Sequence, residues 1–104
     1  MITDHYTGMD LDASVAAARS NLAERLDIDE AELSVIEARR VTWRDGSIGC
    51  PEPDMMYTQA LVEGFYILLE AGDERYAYHA GRDGRPFHCP AERSQEPMPT
   101  ESLY

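Results

Sequence analysis

Gly64-Phe65-Tyr66-Ile67-Leu68-Leu69-Glu70-Ala71-Gly72-Asp73-Glu74-Arg75-Tyr76-Ala77-Tyr78-His79-Ala80-Gly81-Arg82-Asp83-Gly84-Arg85-Pro86-Phe87-His88-Cys89 is the stretch that decides the fold. It holds three strand-like runs, Gly64 to Glu70, Arg75 to Ala80 and Pro86 to Cys89, separated by two glycine-aspartate turn signals. Gly72-Asp73 and Asp83-Gly84 each read as the tip of a tight hairpin, so the three runs form an antiparallel meander. Two-residue tips at both turns set a register. Phe65, Ile67, Leu69, Tyr76, Tyr78, Ala80, Phe87 and Cys89 then share one apolar face. Tyr66, Leu68, Glu70, Arg75, Ala77, His79 and His88 share the other. Pro86 has no backbone donor, which puts the last run at a sheet edge.

Upstream of the meander, Ser34 to Trp43 (SVIEARRVTW) is rich in β-branched residues and reads as a fourth strand. Between it and the meander, Asp45 to Met55 carries two Gly and two Pro and is read as a loop. Further back, Val15, Ala18, Leu22 and Leu26 recur at three- and four-residue spacing. They make one apolar stripe on a helix from about Ala13 to Leu26, with Asp10 and Asp12 offering cap oxygens. Asp29 and Glu32 have capping-box spacing and predict a helical turn ending near Leu33. The fold class expected is therefore α+β, with a helix and a helical turn packed on a curved antiparallel sheet of about four strands. Residues 1–10 read as a flexible arm and residues 11–89 as one domain. Residues 90–104, with three Pro and three Glu, read as a flexible acidic tail.

The composition narrows the function classes. In 104 residues there are 20 acidic against 9 basic side chains, a formal net charge of −11, and no Lys. Such a surface repels nucleic-acid phosphates and anionic headgroups, so neither nucleic acid nor a membrane surface is an expected partner. Lys-free acidity fits a salt-accumulating cytoplasm, where ions screen carboxylate repulsion; a high-GC genome is the alternative source of the Arg bias. No signal peptide and no apolar run of about 18 residues is visible, so a cytoplasmic protein is expected.

Four side chains stand out for chemistry. The derived register lines up Tyr66, His79 and His88 across the face opposite the apolar one, and Trp43 heads the unusual loop that follows its strand. Trp43, Tyr66, His79 and His88 are the candidate binding residues. The two histidines, if adjacent, could hold a metal or titrate as a pair. Cys50 and Cys89 are read as a structural thiol pair; a disulfide and a shared metal site are the alternatives. A bond would close a loop of about 40 residues and contribute around 4 kcal/mol in the chain-entropy model. A Cys₂His₂ ion site with His79 and His88 is disfavoured, because consecutive strand residues such as His88 and Cys89 point to opposite faces. No cofactor and no catalytic residue is expected. The phosphate loops, dinucleotide fingerprints and nucleophile elbows that would suggest them are missing from the sequence.

Trp43, Asp45-Gly46-Ser47-Ile48-Gly49-Cys50-Pro51, Tyr57, Gln59, Gly64 and Tyr76-x-Tyr78-His79 form a pattern. It resembles that of small uncharacterised bacterial and archaeal proteins sharing a W-x-D-G-S-[IL]-G-C-P motif, over about Leu22 to Cys89. The resemblance implies no activity. The order of helix then meander is also similar to PepSY-like modules, which are associated with restraining peptidases. Together these readings point to a non-catalytic binding or regulatory module, with a protein or peptide partner, that is a monomer or a weak homodimer. The rival reading is a metal-binding or thiol-dependent protein using Cys50, Cys89, His79 and His88.

Overall fold

The computed structural model describes residues 8–99. Helix α1 (Leu11–Leu26) is followed by a 3₁₀ turn (Glu30–Glu32) and four strands, β1 (Leu33–Trp43), β2 (Val62–Ala71), β3 (Glu74–Ala80) and β4 (Pro86–Cys89). The strands form one open antiparallel sheet in the order β1-β2-β3-β4. The α+β meander is the one expected. The Asp10 side chain accepts from the Ala13 amide and caps α1, and Asp29 caps the 3₁₀ turn by accepting from Ala31.

The stripe on α1 packs on one face of the sheet. Ala18 and Leu22 are fully buried there against Leu33, Ile67, Leu69 and Tyr78, with Val15 and Leu26 alongside. The Tyr78 hydroxyl donates to Asn21 Oδ1 at 2.6 Å, tying the strand to the helix. The hairpin between β2 and β3 keeps the expected register: Ala71 pairs with Glu74, Ile67 with Tyr78 and Tyr66 with His79. Gly72 adopts the left-handed conformation that the two-residue turn requires.

The second hairpin departs from expectation by one residue. His79 pairs with Phe87, not His88, and Tyr78 pairs with His88. The cause is the turn. The Gly84 amide donates to the Gly81 carbonyl, so Arg82 and Asp83 are its central residues, and Gly84 follows at φ 76°. A type I turn followed by a left-handed glycine makes a three-residue loop with a bulge, not a two-residue loop. A one-residue slip sends every side chain of β4 to the other face. His88 thus joins the helix side, between Tyr76 and Tyr78 at ring separations of 6.0 and 5.6 Å. Phe87 and Cys89 turn to the face that carries Tyr66 and His79. The expected row Tyr66–His79–His88 does not exist.

That second face is also partly covered. The loop between β1 and β2 and the segment after β4 lie across it. The segment from Pro90, expected as a tail, is pinned over its described part: the Gln95 amide donates to Gly49 O and the Met98 amide to Thr42 O, and Pro97 is buried. Met9, in the expected arm, donates its amide to Asp83 O. The expectations for residues 1–7 and 100–104 lie outside the described residues.

Candidate functional site

The covered face is organised around His79. Its ring is fully buried, and the Trp43 indole lies nearly parallel to it with ring centroids 4.5 Å apart. Trp43 is itself fully buried, and its Nε1–H donates to the Ala80 carbonyl at 3.0 Å. Tyr66 and Phe87 approach the imidazole edge-on and tilted, at 5.6 and 6.2 Å. His79 Nδ1 sits 2.7 Å from the Ile48 carbonyl and Nε2 sits 3.0 Å from Ser94 Oγ. A carbonyl only accepts, so Nδ1 carries the proton and Nε2 accepts from the Ser94 hydroxyl. Burial favours the neutral ring and holds the His79 pKa below its ordinary value; the hydrogen bond to Ile48 opposes this only in part.

The motif around Gly46 to Pro51 exists to reach this ring. Asp45 Oδ1 accepts from both the Ser47 amide and its hydroxyl, which starts the loop as a tight turn and keeps the Asp45 carboxyl below its usual range. Ile48 and Gly49 then both take positive φ, 58° and 73°. At Gly49 a Cβ would lie 2.3 Å from Trp43 Cζ3, so only glycine lets the backbone cross the indole. This backbone path aims the Ile48 carbonyl at His79 and brings Cys50 over β4, where Cys50 and Cys89 form a disulfide with a Cα–Cα distance of 5.9 Å. The free-thiol reading gives way to the bonded pair. The slip in β4 is what delivers Cys89 to this side.

Of the residues picked from sequence, Trp43, Tyr66, His79, Cys50 and Cys89 come together and His88 does not. Cys50, Cys89, His79 and His88 therefore do not converge on one point. Ser94, the Ile48 carbonyl and Phe87 were not singled out. Ser94 lay in a stretch read as tail, and Phe87 was assigned to the wrong face by the slipped register.

Ser94, His79 and the Ile48 carbonyl stand in the order of nucleophile, base and orienting group. Here the same bonds tie the Ile48 loop and the 90–98 segment to β3. The base is walled in by Trp43 with no exposed ring surface. The Ser94 amide, which an oxyanion would need nearby, donates to Pro90 O and Ala91 O. Beside this cluster lies an outward cavity of about 220 Å³, lined by Tyr66, Leu68, Arg75, Ala77, His88, Cys89, Ala91 and Ser94. Arg39 lies over the outer face of Tyr66, 5.5 Å from the ring centroid.

Residues 15–89, covering the helix stripe, the sheet and the disulfide, match a domain of unknown function, DUF8738. The chain belongs to this family. No curated protein and no solved structure matches it. The matched span contains all five clustered residues, Trp43, Cys50, Tyr66, His79 and Cys89, and the Gly46–Pro51 loop between them.

A buried neutral histidine makes stability depend on pH with a definite sign. With its folded pKa below the unfolded value of about 6.5, the unfolded chain binds a proton first as pH falls. Stability is present at neutral pH and is lost as pH drops through about 6.5, by at most about 1.4 kcal/mol per pH unit for this group. His88, also lowered by burial and by Arg25 and Arg93, acts in the same direction. Neutralising carboxylates in a chain of net charge −11 acts the opposite way at low salt. In about 1 M NaCl, where the Debye length is about 3 Å, that repulsion is screened. Denaturant melts at about pH 7.5 and 5.5 in that salt should show lower stability at the acid end, and His79→Gln should remove most of the difference. An unchanged difference in the variant would assign the effect to other groups.

Proposed function

We propose that this domain is a non-catalytic binding or regulatory module that takes a protein or peptide partner at the cavity over Tyr66 and Leu68. The supporting observation is how the reactive side chains are used. Both His79 nitrogens and both cysteine sulfurs are committed to holding the loop and the 90–98 segment on the sheet. The cavity beside them is built from Leu68, Ala77, Ala91 and the half-buried Tyr66 ring, with Arg75, His88 and Ser94 as its polar lining. That mixture suits an apolar side chain of a partner with polar groups at the rim. A regulatory role of the PepSY type, restraining a peptidase, is one form of this reading and rests on the order of elements alone.

The test is paired enrichment from extract of the source cells, with the wild type and a Leu68→Arg variant that fills the cavity. A protein enriched on the wild type and lost on a variant of unchanged melting temperature supports the reading. The same set of proteins on both would overturn it.

A further inference from the structure

We propose that the outer edge of β1 is a self-association surface, on which a second copy of this chain pairs antiparallel about a two-fold axis at Ala38. The sheet has two edges. One is β4, four residues long and opened by Pro86, a combination that resists strand addition. The other is β1, eleven residues without proline, whose only strand partner among the described residues is β2.

Which backbone groups of β1 face outward follows from the first hairpin. A two-residue turn makes Ala71 and Glu74 a hydrogen-bonded pair. Alternation then directs Leu69, Ile67 and Phe65 toward β3, and Leu68, Tyr66 and Gly64 toward β1. Their partners Glu37, Arg39 and Val41 bond inward, so Ala38, Arg40 and Thr42 present N–H and C=O away from the sheet. The Met98 amide bonding to Thr42 O agrees with this assignment. Among the described residues Met98 closes the edge at Thr42, and no other backbone bond outside the sheet reaches β1.

A second β1 running antiparallel with Ala38 opposite Ala38 uses these outward groups in matched pairs. Ala38 bonds Ala38 of the copy in a matched pair at the axis. The side chains between them are self-complementary: Glu37 of each copy falls opposite Arg39 of the other. Opposite charges directly across a strand pair stabilise it and like charges destabilise it. Val35 and Ile36, each 40 % exposed at the bulge between Val35 and Glu37, flank this pairing. The small Ala38 allows close approach at the axis. The face numbering also keeps both helices on one side of the eight-stranded sheet, clear of the cavity over Tyr66 and Leu68.

The experiment is sedimentation of the full chain in about 0.5 M NaCl, where net repulsion is screened over a few Å but opposed side chains still interact. The wild type should dimerise reversibly. Glu37→Arg and Arg39→Glu each place like charges opposite one another and should weaken dimerisation about tenfold or more. This holds for Glu37→Arg even though it reduces the overall negative charge. An equimolar mixture of the two variants restores both opposed pairs between chains and should form heterodimer. Rescue by mixing is a result that loss of the intrachain Glu37–Arg39 pair would not produce. A wild type that stays monomeric, or variants that dimerise as well as the wild type, or a mixture without heterodimer, would each overturn the proposal.

Discussion

Trp43→Ala should destabilise the domain by about 4 kcal/mol, the middle of the range for loss of a buried tryptophan. For a domain of this size that corresponds to a fall in melting temperature of roughly 15 °C or more. Three effects add. The indole is completely buried, so its removal leaves a cavity between the sheet and the loop. The Ala80 carbonyl loses its donor, and the His79 ring loses the stacked surface that keeps water from it. A paired variant separates fit from bulk. Gly49→Ala alone should cost about 2–3 kcal/mol, because the residue has φ 73° and its Cβ would strike the indole. In a Trp43→Ala background the collision with the indole is gone, leaving the backbone penalty and the tight 3.0 Å approach to His79 Nδ1, so the two changes should be non-additive by about 1 kcal/mol or more. Additive losses in thermal and denaturant melts would mean that Gly49 and Trp43 are not in contact.

The contrast between what was readable in the sequence and what was not is a contrast between local and long-range information. The helix stripe at Val15, Ala18, Leu22 and Leu26, and the Gly72-Asp73 turn, are set by neighbours within a few residues. The element order and the first hairpin were legible for that reason. Asp83-Gly84 looked equally clear and misled, because the same dipeptide serves a two-residue loop or a type I turn ending in a left-handed glycine. Here Gly84 also lies against Met9, whose carbonyl oxygen would be 2.3 Å from any Cβ at that position. One residue of register then moved His88 away from His79 and brought Cys89 to Cys50. The segment from Pro90 had no apolar period to announce packing. Its anchors are single backbone bonds from Gln95 and Met98 and one hydroxyl, Ser94, none of which leaves a compositional trace. The exposure expected of Tyr66 and His79 differs for the same reason: a face that looks polar along each strand can still be covered by a loop and a later segment from far along the chain.

Loss of the Cys50–Cys89 bond should lower stability by about 4 kcal/mol, from the entropy of an open chain over a sequence separation of 39. The effect should also be localised. The bond joins the loop after β1 to the end of β4, and the Gly49 carbonyl beside it receives the Gln95 amide. The α1 face depends on none of these contacts: Leu22, Ile67, Leu69 and Tyr78 pack there irrespective of the bond. Hydrogen exchange in Cys50→Ala/Cys89→Ala should therefore rise first at Ile48, Cys50, Gln95 and Met98, while amides of α1 and the β2–β3 ladder lose protection only with global unfolding. A uniform rise would mean that the two faces do not separate. Reductant should reproduce the variant's melting temperature in the wild type and change nothing in the variant. The same bond bears on where the protein works. A reducing cytoplasm keeps most paired cysteines as thiols, with intracellular proteins of hyperthermophiles as the known exception. Blocking free thiols during lysis of the source cells, then counting blocked cysteines on the intact protein, measures the state directly. Zero blocked cysteines would put the bonded form, with His79 covered and the cavity over Leu68 formed, at work in the cell. Two would mean that the cytoplasmic thiol pair expected from sequence is the resting state, and that closing the bond tightens the loop over Trp43 only under oxidation.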